Sequence, residues 1–223
     1  LKAQGEYENT LIIVMADNGR PFPHSKTRLN DQGVKTPFII HYPELLKENN
    51  VVNSLISSID IAPTLLDIAE IEIKDNFQGK SFYNLIKNPN QKFRNYVFAE
   101  HNWHDYESYQ RMVRNDRYLY IVNSRPEFPQ EGPLDAINSP TYIDLKTAQK
   151  NNNITKIQAE IFIQPRQAEE LYDLSNDPYQ FNNLISSEKI EDEYLLLKNI
   201  LNNWITETGD SKPIQITKDW YLR

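Results

Sequence analysis

The stretch from Leu11 to Thr27 constrains this chain more than any other. Leu11, Ile12, Ile13, Val14 and Met15 form an unbroken apolar run. That is the pattern of a strand covered on both faces, as in the interior of a parallel sheet. The run stops abruptly in Asp17, Asn18 and Gly19, followed by Pro21, Pro23, His24 and Lys26. Ligands of open α/β sheets bind beyond the carboxyl ends of the strands. A carboxylate and an amide oxygen set side by side there suit a hard cation such as Ca²⁺. Lys26, eight residues after Asn18, offers a point positive charge for an anion at the same end. An Asx-type turn that merely ends the strand uses the same residues, so residue chemistry leaves both readings open.

Bulk properties narrow the classes. The 223 residues carry a formal charge of −7, which argues against a binder of nucleic acid backbones. No apolar run approaches the eighteen or so residues that a membrane span requires. The chain opens on Leu1 and Lys2 with neither an initiator Met nor a signal sequence, and reads as a cut piece. It contains no cysteine, which excludes disulfides and thiolate metal sites. Its six glycines form no phosphate-cradling loop.

Taken in order, Thr36 to Tyr42 reads as a second buried strand closed by Pro43, with His41 as a structural residue. Residues 45–52 read as a polar surface connection. Asp60 and Pro63 open an amphipathic helix through Ala69, with Asp60 as its N-cap. Tyr96 to Glu100 is expected as a strand that opens onto His101, Asn102, Trp103 and His104. A strand at Tyr118 to Val122 is expected to pair antiparallel with its predecessor. Residues 126–140 make a long Pro-rich loop and 141–168 a mainly polar helix, and Leu171 to Leu174 is a last strand. Ser187 to Thr206 is a terminal helix whose packing stripe is Leu195, Leu196, Ile200, Leu201 and Trp204.

Four blocks carry a resemblance. They are Ala16-Asp17-Asn18-Gly19 through Lys26, Gln32-Gly33-Val34-Lys35-Thr36-Pro37 through Pro43, Asp60-Ile61-Ala62-Pro63-Thr64-Leu65-Leu66-Asp67, and Glu170-Leu171-Tyr172-Asp173-Leu174 through Pro178. Together they resemble the type I sulfatases of the alkaline phosphatase superfamily, and most closely the heparan N-sulfatase (sulfamidase) branch. The resemblance runs along essentially the whole chain, yet covers only the C-terminal half of a sulfatase. It implies an α/β fold in which residues 1–95 are the last portion of a mostly parallel, helix-flanked sheet. Residues 96–223 would form a smaller antiparallel-sheet subdomain with a terminal helix.

The resemblance also implies roles. Asp17 and Asn18 correspond to ligands of one Ca²⁺, with further carboxylates from the missing N-terminal half. Asp17 would also accept the proton of an attacking hydroxyl, and Lys26 would touch a sulfate oxygen. The branch can carry Arg where Lys26 stands, and the two cations are not equivalent. Formylglycine, the sulfatase nucleophile, arises from a Cys/Ser-x-Pro-x-Arg motif that does not occur here, so this piece alone is expected to be inactive. His104, then His101, Arg111 and His24, are the candidates for contacting the sugar, with Trp103 offering an aromatic face. The implied activity is removal of sulfate from units of a sulfated saccharide, N-linked or O-linked, in a periplasmic or secreted bacterial protein. Two rivals remain: a phosphodiesterase or phosphonate hydrolase of the same superfamily, and a sugar-binding relative without catalysis.

Overall fold

The computed structural model describes residues 1–46, 49–129 and 132–221. Lys47 and Glu48, in the expected polar connection, and Gln130 and Glu131, in the expected Pro-rich loop, lie outside the described residues. The strands are β1 (Ile12–Met15), β2 (Phe38–His41), β3 (Val97–Trp103), β4 (Glu107–Arg114), β5 (Tyr118–Asn123) and β6 (Glu169–Asp173). The α-helices are α1 (Asp31–Val34), α2 (Ile61–Ile68), α3 (Tyr83–Lys87), α4 (Leu134–Ile137), α5 (Pro140–Lys150) and α6 (Glu191–Thr208). Among the described residues no helix is long and apolar enough to cross a membrane. The chain forms two compact units, one of Leu1–Ala16 with Pro37–Val97, the other of Asp17–Thr36 with Phe98–Arg223. The segment after β1, which linear order assigns to the first portion, thus belongs to the second unit.

In the first unit, β1 and β2 pair antiparallel, with Val14 opposite Ile39. Both side chains are more than half exposed, as is much of Met15. The one pairing of β1 among the described residues is antiparallel, where the apolar run reads as a strand of a parallel sheet. A continuous apolar run records an affinity for cover but not the direction of the partner strand. Asp60 is fully buried and ties three segments together. Its carboxylate accepts the Ser57 N–H at 2.8 Å and the Lys80 N–H at 2.9 Å, and meets the Arg94 guanidinium. It stands at the N-cap position of α2 but does not cap it with its side chain. Instead it closes a capping box with Ser57 one turn earlier.

The second unit is built on a four-stranded sheet in the order β3-β4-β5-β6. β5 pairs antiparallel with both β4 and β6. β4 was not anticipated, and it is the most deeply buried strand. Met112, Leu119, Ile121 and Tyr172 form the core together with Leu29. Leu29 comes from the segment after β1, which explains why that segment groups with this sheet. α6 lies against β4 and β5 through Leu197 and Leu201, both fully buried. Trp204 stacks parallel on Phe98 with ring centroids 5.0 Å apart. The packing stripe thus runs Leu197, Leu201, Trp204, while Leu195 and Leu196 are nearly half exposed, a shift of one to two positions around the helix.

Candidate functional site

All seven residues singled out in the sequence lie in the second unit. Asp17 and Asn18 begin its first segment. The Asp17 carboxylate is exposed, and its Oδ1 accepts the N–H of the next residue, Asn18, at 3.0 Å. The Asn18 amide donates to the Gly19 carbonyl at 2.7 Å, which turns its own oxygen away from that contact. Gly19 is fixed by close packing: a Cβ there would collide with the Gln32 carbonyl, and its N–H donates to the Gly33 carbonyl at 2.9 Å. Gly33 is equally constrained, since a Cβ would strike the Arg28 and Ser25 carbonyls. The loop that carries His24 and Lys26 is thereby folded tightly onto α1. Asp31 of α1 in turn accepts from Arg114 at 2.9 and 3.2 Å.

Asp17 and Asn18 present hard oxygen donors of the kind Ca²⁺ takes, but only two of the six to eight it requires. No group of three or more His, Asp or Glu able to hold a metal occurs among the described residues. The donor set fits a part of a calcium site and not a whole one.

Lys26 reaches Asp135 of α4, with Nζ 2.8 Å from Oδ2. The ammonium holds the Asp135 carboxyl below its usual range. Lys26 lines a hollow with Phe22, Arg28, Ala136 and Tyr142. Gly132 forms part of its wall and also of a neighbouring pocket lined by Thr27, His101, His104, Asp105 and Glu107. The structure therefore brings Lys26, His101 and His104 to adjoining concavities.

His101 is the most informative of the set. Its Nδ1 faces Gln110 Oε1 at 3.3 Å. The Gln110 amide donates to Asn123 Oδ1, and the Asn123 amide donates to the Gln167 carbonyl at 2.6 Å. Read along this chain of amides, Gln110 presents an acceptor to the ring, so Nδ1 carries the proton and Nε2 a lone pair. That Nε2 is buried and has no hydrogen-bond partner among the described residues. Burial pushes the imidazole down to about 4, aided by the Arg166, His104 and Arg28 charges against a smaller opposing effect from Gln110. At neutral pH His101 is thus an uncharged hydrogen-bond acceptor on the wall of a pocket. His104 is exposed, with its Nδ1 3.2 Å from Asp105 Oδ2.

His24 shares the Lys26 hollow but its ring is held by internal contacts, and Arg111 is engaged elsewhere. His24 sits at φ 61°, its Nδ1 2.9 Å from Glu160 and its Nε2 2.7 Å from the Asn30 amide, and it stacks on Phe181. Burial would raise the Glu160 carboxyl, but Arg28 and His24 outweigh it and hold it down to about 2. Arg111 is almost wholly buried and grips Asp210 at 2.5 and 2.9 Å, with a further bond to Asn102 at 2.7 Å. Both residues are spent on internal contacts, so neither is carried forward as a sugar contact. Sequence reasoning missed Asp135, Asp105 and Glu107. Asp135 meets Lys26 across 109 positions, and no local motif marks such a pairing.

Comparison with known proteins gives these residues their context. A sequence description of the family "N-sulphoglucosamine sulphohydrolase, C-terminal" matches residues 24–161. An ulvan-active sulfatase of Formosa agariphila is 34% identical over 94% of this chain and 35% of its own length. Human N-sulphoglucosamine sulphohydrolase is 27% identical over 94% of this chain and 44% of its own. A protein solved in complex with its substrate D-glucosamine-2-N,6-O-disulfate superposes with a TM-score of 0.69 at 20% identity, covering 95% of this chain and 37% of that one. A phosphonate monoester hydrolase of Silicibacter pomeroyi shares the fold at a TM-score of 0.61 and 20% identity, over 99% of this chain and 41% of that one. At such identities these superpositions speak of the fold alone. The chain spans 35 to 39% of the length of the first curated relatives it matches. The family description covers more than half of the chain and the Formosa relative is 34% identical along nearly all of it, so the protein belongs to the sulfatase family typified by the C-terminal region of N-sulphoglucosamine sulphohydrolase.

Proposed function

We propose that this chain is the C-terminal portion of a sulfatase that removes sulfate from a sugar unit of a sulfated oligosaccharide or polysaccharide. One observation carries the reading: Lys26 and the His101–His104 pair line adjoining concavities of a single compact unit in a chain of sulfatase ancestry. The cation suits a sulfate group, and the histidines suit the hydroxyls of the ring that bears it. The remaining ligands and the nucleophile come from the N-terminal portion of the same protein. A saccharide polymer as substrate also fits export to the periplasm or beyond.

Asp17 and Asn18 contribute oxygens to a Ca²⁺ whose other ligands lie outside this chain. When present, the metal neutralises charge on the sulfate oxygens and formylglycine supplies the attacking hydroxyl. The Asp17 carboxylate keeps lone pairs beyond the one that Oδ1 gives to the Asn18 N–H, and one of these takes up the proton. Lys26 stabilises charge that develops on the sulfate, and exchanges its contact with the exposed Asp135 for one with substrate. His101, uncharged and on the same pocket wall, packs against the sugar through the part of its ring that the pocket exposes, while its Nε2 stays buried behind that wall. His104 supplies a second contact from the exposed side, its ring oriented by Asp105.

The test is sulfate release by the full-length protein, supplied with Ca²⁺, from N-sulfated and O-sulfated saccharides in parallel. Release from one class is expected, lost in Asp17→Ala and reduced at least a hundredfold in Lys26→Met, with Lys26→Arg intermediate. Absence of release from both classes by protein with confirmed formylglycine would refute this function.

A further inference from the structure

Beyond α6 the chain turns at Gly209, φ 66°, and residues 210–221 continue without regular secondary structure. The segment is nevertheless pinned at close intervals to the sheet and to the β3–β4 connection. Arg111 holds Asp210, and Arg125 donates to the Pro213 carbonyl at 2.8 Å. Glu107 is bound twice, its carboxylate accepting the Thr217 N–H at 3.1 Å and its own N–H donating to Asp219 at 2.7 Å. The Trp220 N–H donates to the Asp105 carbonyl at 3.0 Å. Asp105 and Glu107 are also walls of the His101–His104 pocket, so the segment is fastened to the pocket's own rim.

This anchoring sets two indoles together. Trp103, at the end of β3, donates its ring N–H to the Lys218 carbonyl at 3.3 Å. It meets Trp220 edge to face, with centroids 4.9 Å apart and planes at 78°. The Trp220 side of the pair is 71% exposed. A backbone fixed by several hydrogen bonds that holds a large apolar ring out into water contributes little to the core. What distinguishes this ring from the other exposed apolar side chains is its place: it stands edge to face with Trp103 and its backbone is tied to Asp105 on the pocket rim. The aromatic face also costs little conformational entropy on binding, because its support is already ordered.

We propose that Trp103 and Trp220 form a second saccharide subsite, which takes the sugar ring adjoining the unit held in the His101–His104 pocket. A pyranose presents a face of C–H groups that packs on an indole while its hydroxyls stay in water, the division of labour that aromatic residues serve at wet interfaces. The position of the pair, with Trp103 two residues before Asp105 and the Trp220 backbone bonded to Asp105, makes the platform continuous with the pocket. The protein is then selective for oligosaccharides over single sugars. The identity of the ligand as a sulfated saccharide rests on the sulfatase reading above.

The experiment is calorimetric titration of the full-length protein with two ligand pairs. One is glucosamine N-sulfate with a heparin tetrasaccharide. The other is a sulfated monosaccharide from hydrolysed ulvan with an ulvan tetrasaccharide. Wild-type protein is expected to bind one tetrasaccharide more tightly than its monosaccharide. In Trp220→Ala that preference falls about tenfold, and in Trp220→Tyr most of it is restored. Because the side chain is exposed, its removal leaves no cavity, and circular dichroism is expected to match wild type. No preference in the wild type, or an unchanged preference in Trp220→Ala, would overturn the subsite. Sulfate release is assayed separately. If the preference falls as expected but no sulfate is released, the subsite stands and the sulfatase reading fails.

Discussion

At the scale of single residues, His101 links stability to the pocket. An unfolded imidazole titrates near 6.5, whereas burial holds the folded one down to about 4. Between these values the unfolded chain binds a proton that the folded chain refuses. The contribution is therefore fully present above pH 6.5 and is lost as pH falls towards 4, by no more than about 3 kcal/mol. Glu160 acts in the same sense lower down: held near 2, it contributes above its usual carboxylate range and is lost as pH falls towards 2. Urea midpoints at pH 7.5 and 5.0 separate the two. His101→Gln is expected to flatten the dependence between them and to weaken substrate binding at neutral pH. A slope identical to wild type would mean that another group refuses the proton.

Elements make a different point, because what holds β4 in place is polar. Gln110 and Arg111 are buried in its middle, one bonded to Asn123 and the other to Asp210, and Glu107 at its start pairs with Arg125 at 2.5 Å. Arg111→Ala strips Asp210 of its cationic partner, leaving it the Tyr109 hydroxyl at 3.2 Å, and loosens the start of the 210–221 segment. It is expected to cost about 3 kcal/mol in denaturant unfolding. A loss within error of zero would place Arg111 outside the framework. These same pairs explain why β4 was illegible in the sequence. Strand patterns are read from apolar alternation, and a strand whose buried polar side chains find partners some ten to a hundred positions away imitates a loop. β5, β6 and α6 carry their apolar content locally and could be placed, though the face of α6 was displaced. At the site, Asp17, Asn18 and Lys26 stood out as a motif. The engagement of His24 with Glu160 and of Arg111 with Asp210 spans 136 and 99 positions and left no mark to read.

For the molecule as a whole, the decisive quantity is how much of the metal site this chain carries. It offers one carboxylate and one amide at the turn after β1, and no cluster of three acidic or imidazole ligands among its described residues. A cation that takes six to eight oxygens cannot be held firmly by two, so on the proposed function its affinity depends on carboxylates outside this chain, which spans 35% of the length of the Formosa relative. Chelation with EGTA is accordingly expected to abolish sulfate release by the full-length protein, and added Ca²⁺ to restore it. In Asn18→Ala the Ca²⁺ concentration for half-maximal rate is expected to rise several-fold, because one of the two oxygens this chain offers is gone while Asp17 keeps its proton-accepting carboxylate. In Lys26→Met it is expected to stay near the wild-type value while the rate falls, because in the proposed site the ammonium acts on sulfate and not on the metal. Release that is insensitive to EGTA would remove Ca²⁺ from the mechanism and leave Asp17 with a proton as its only charge to carry.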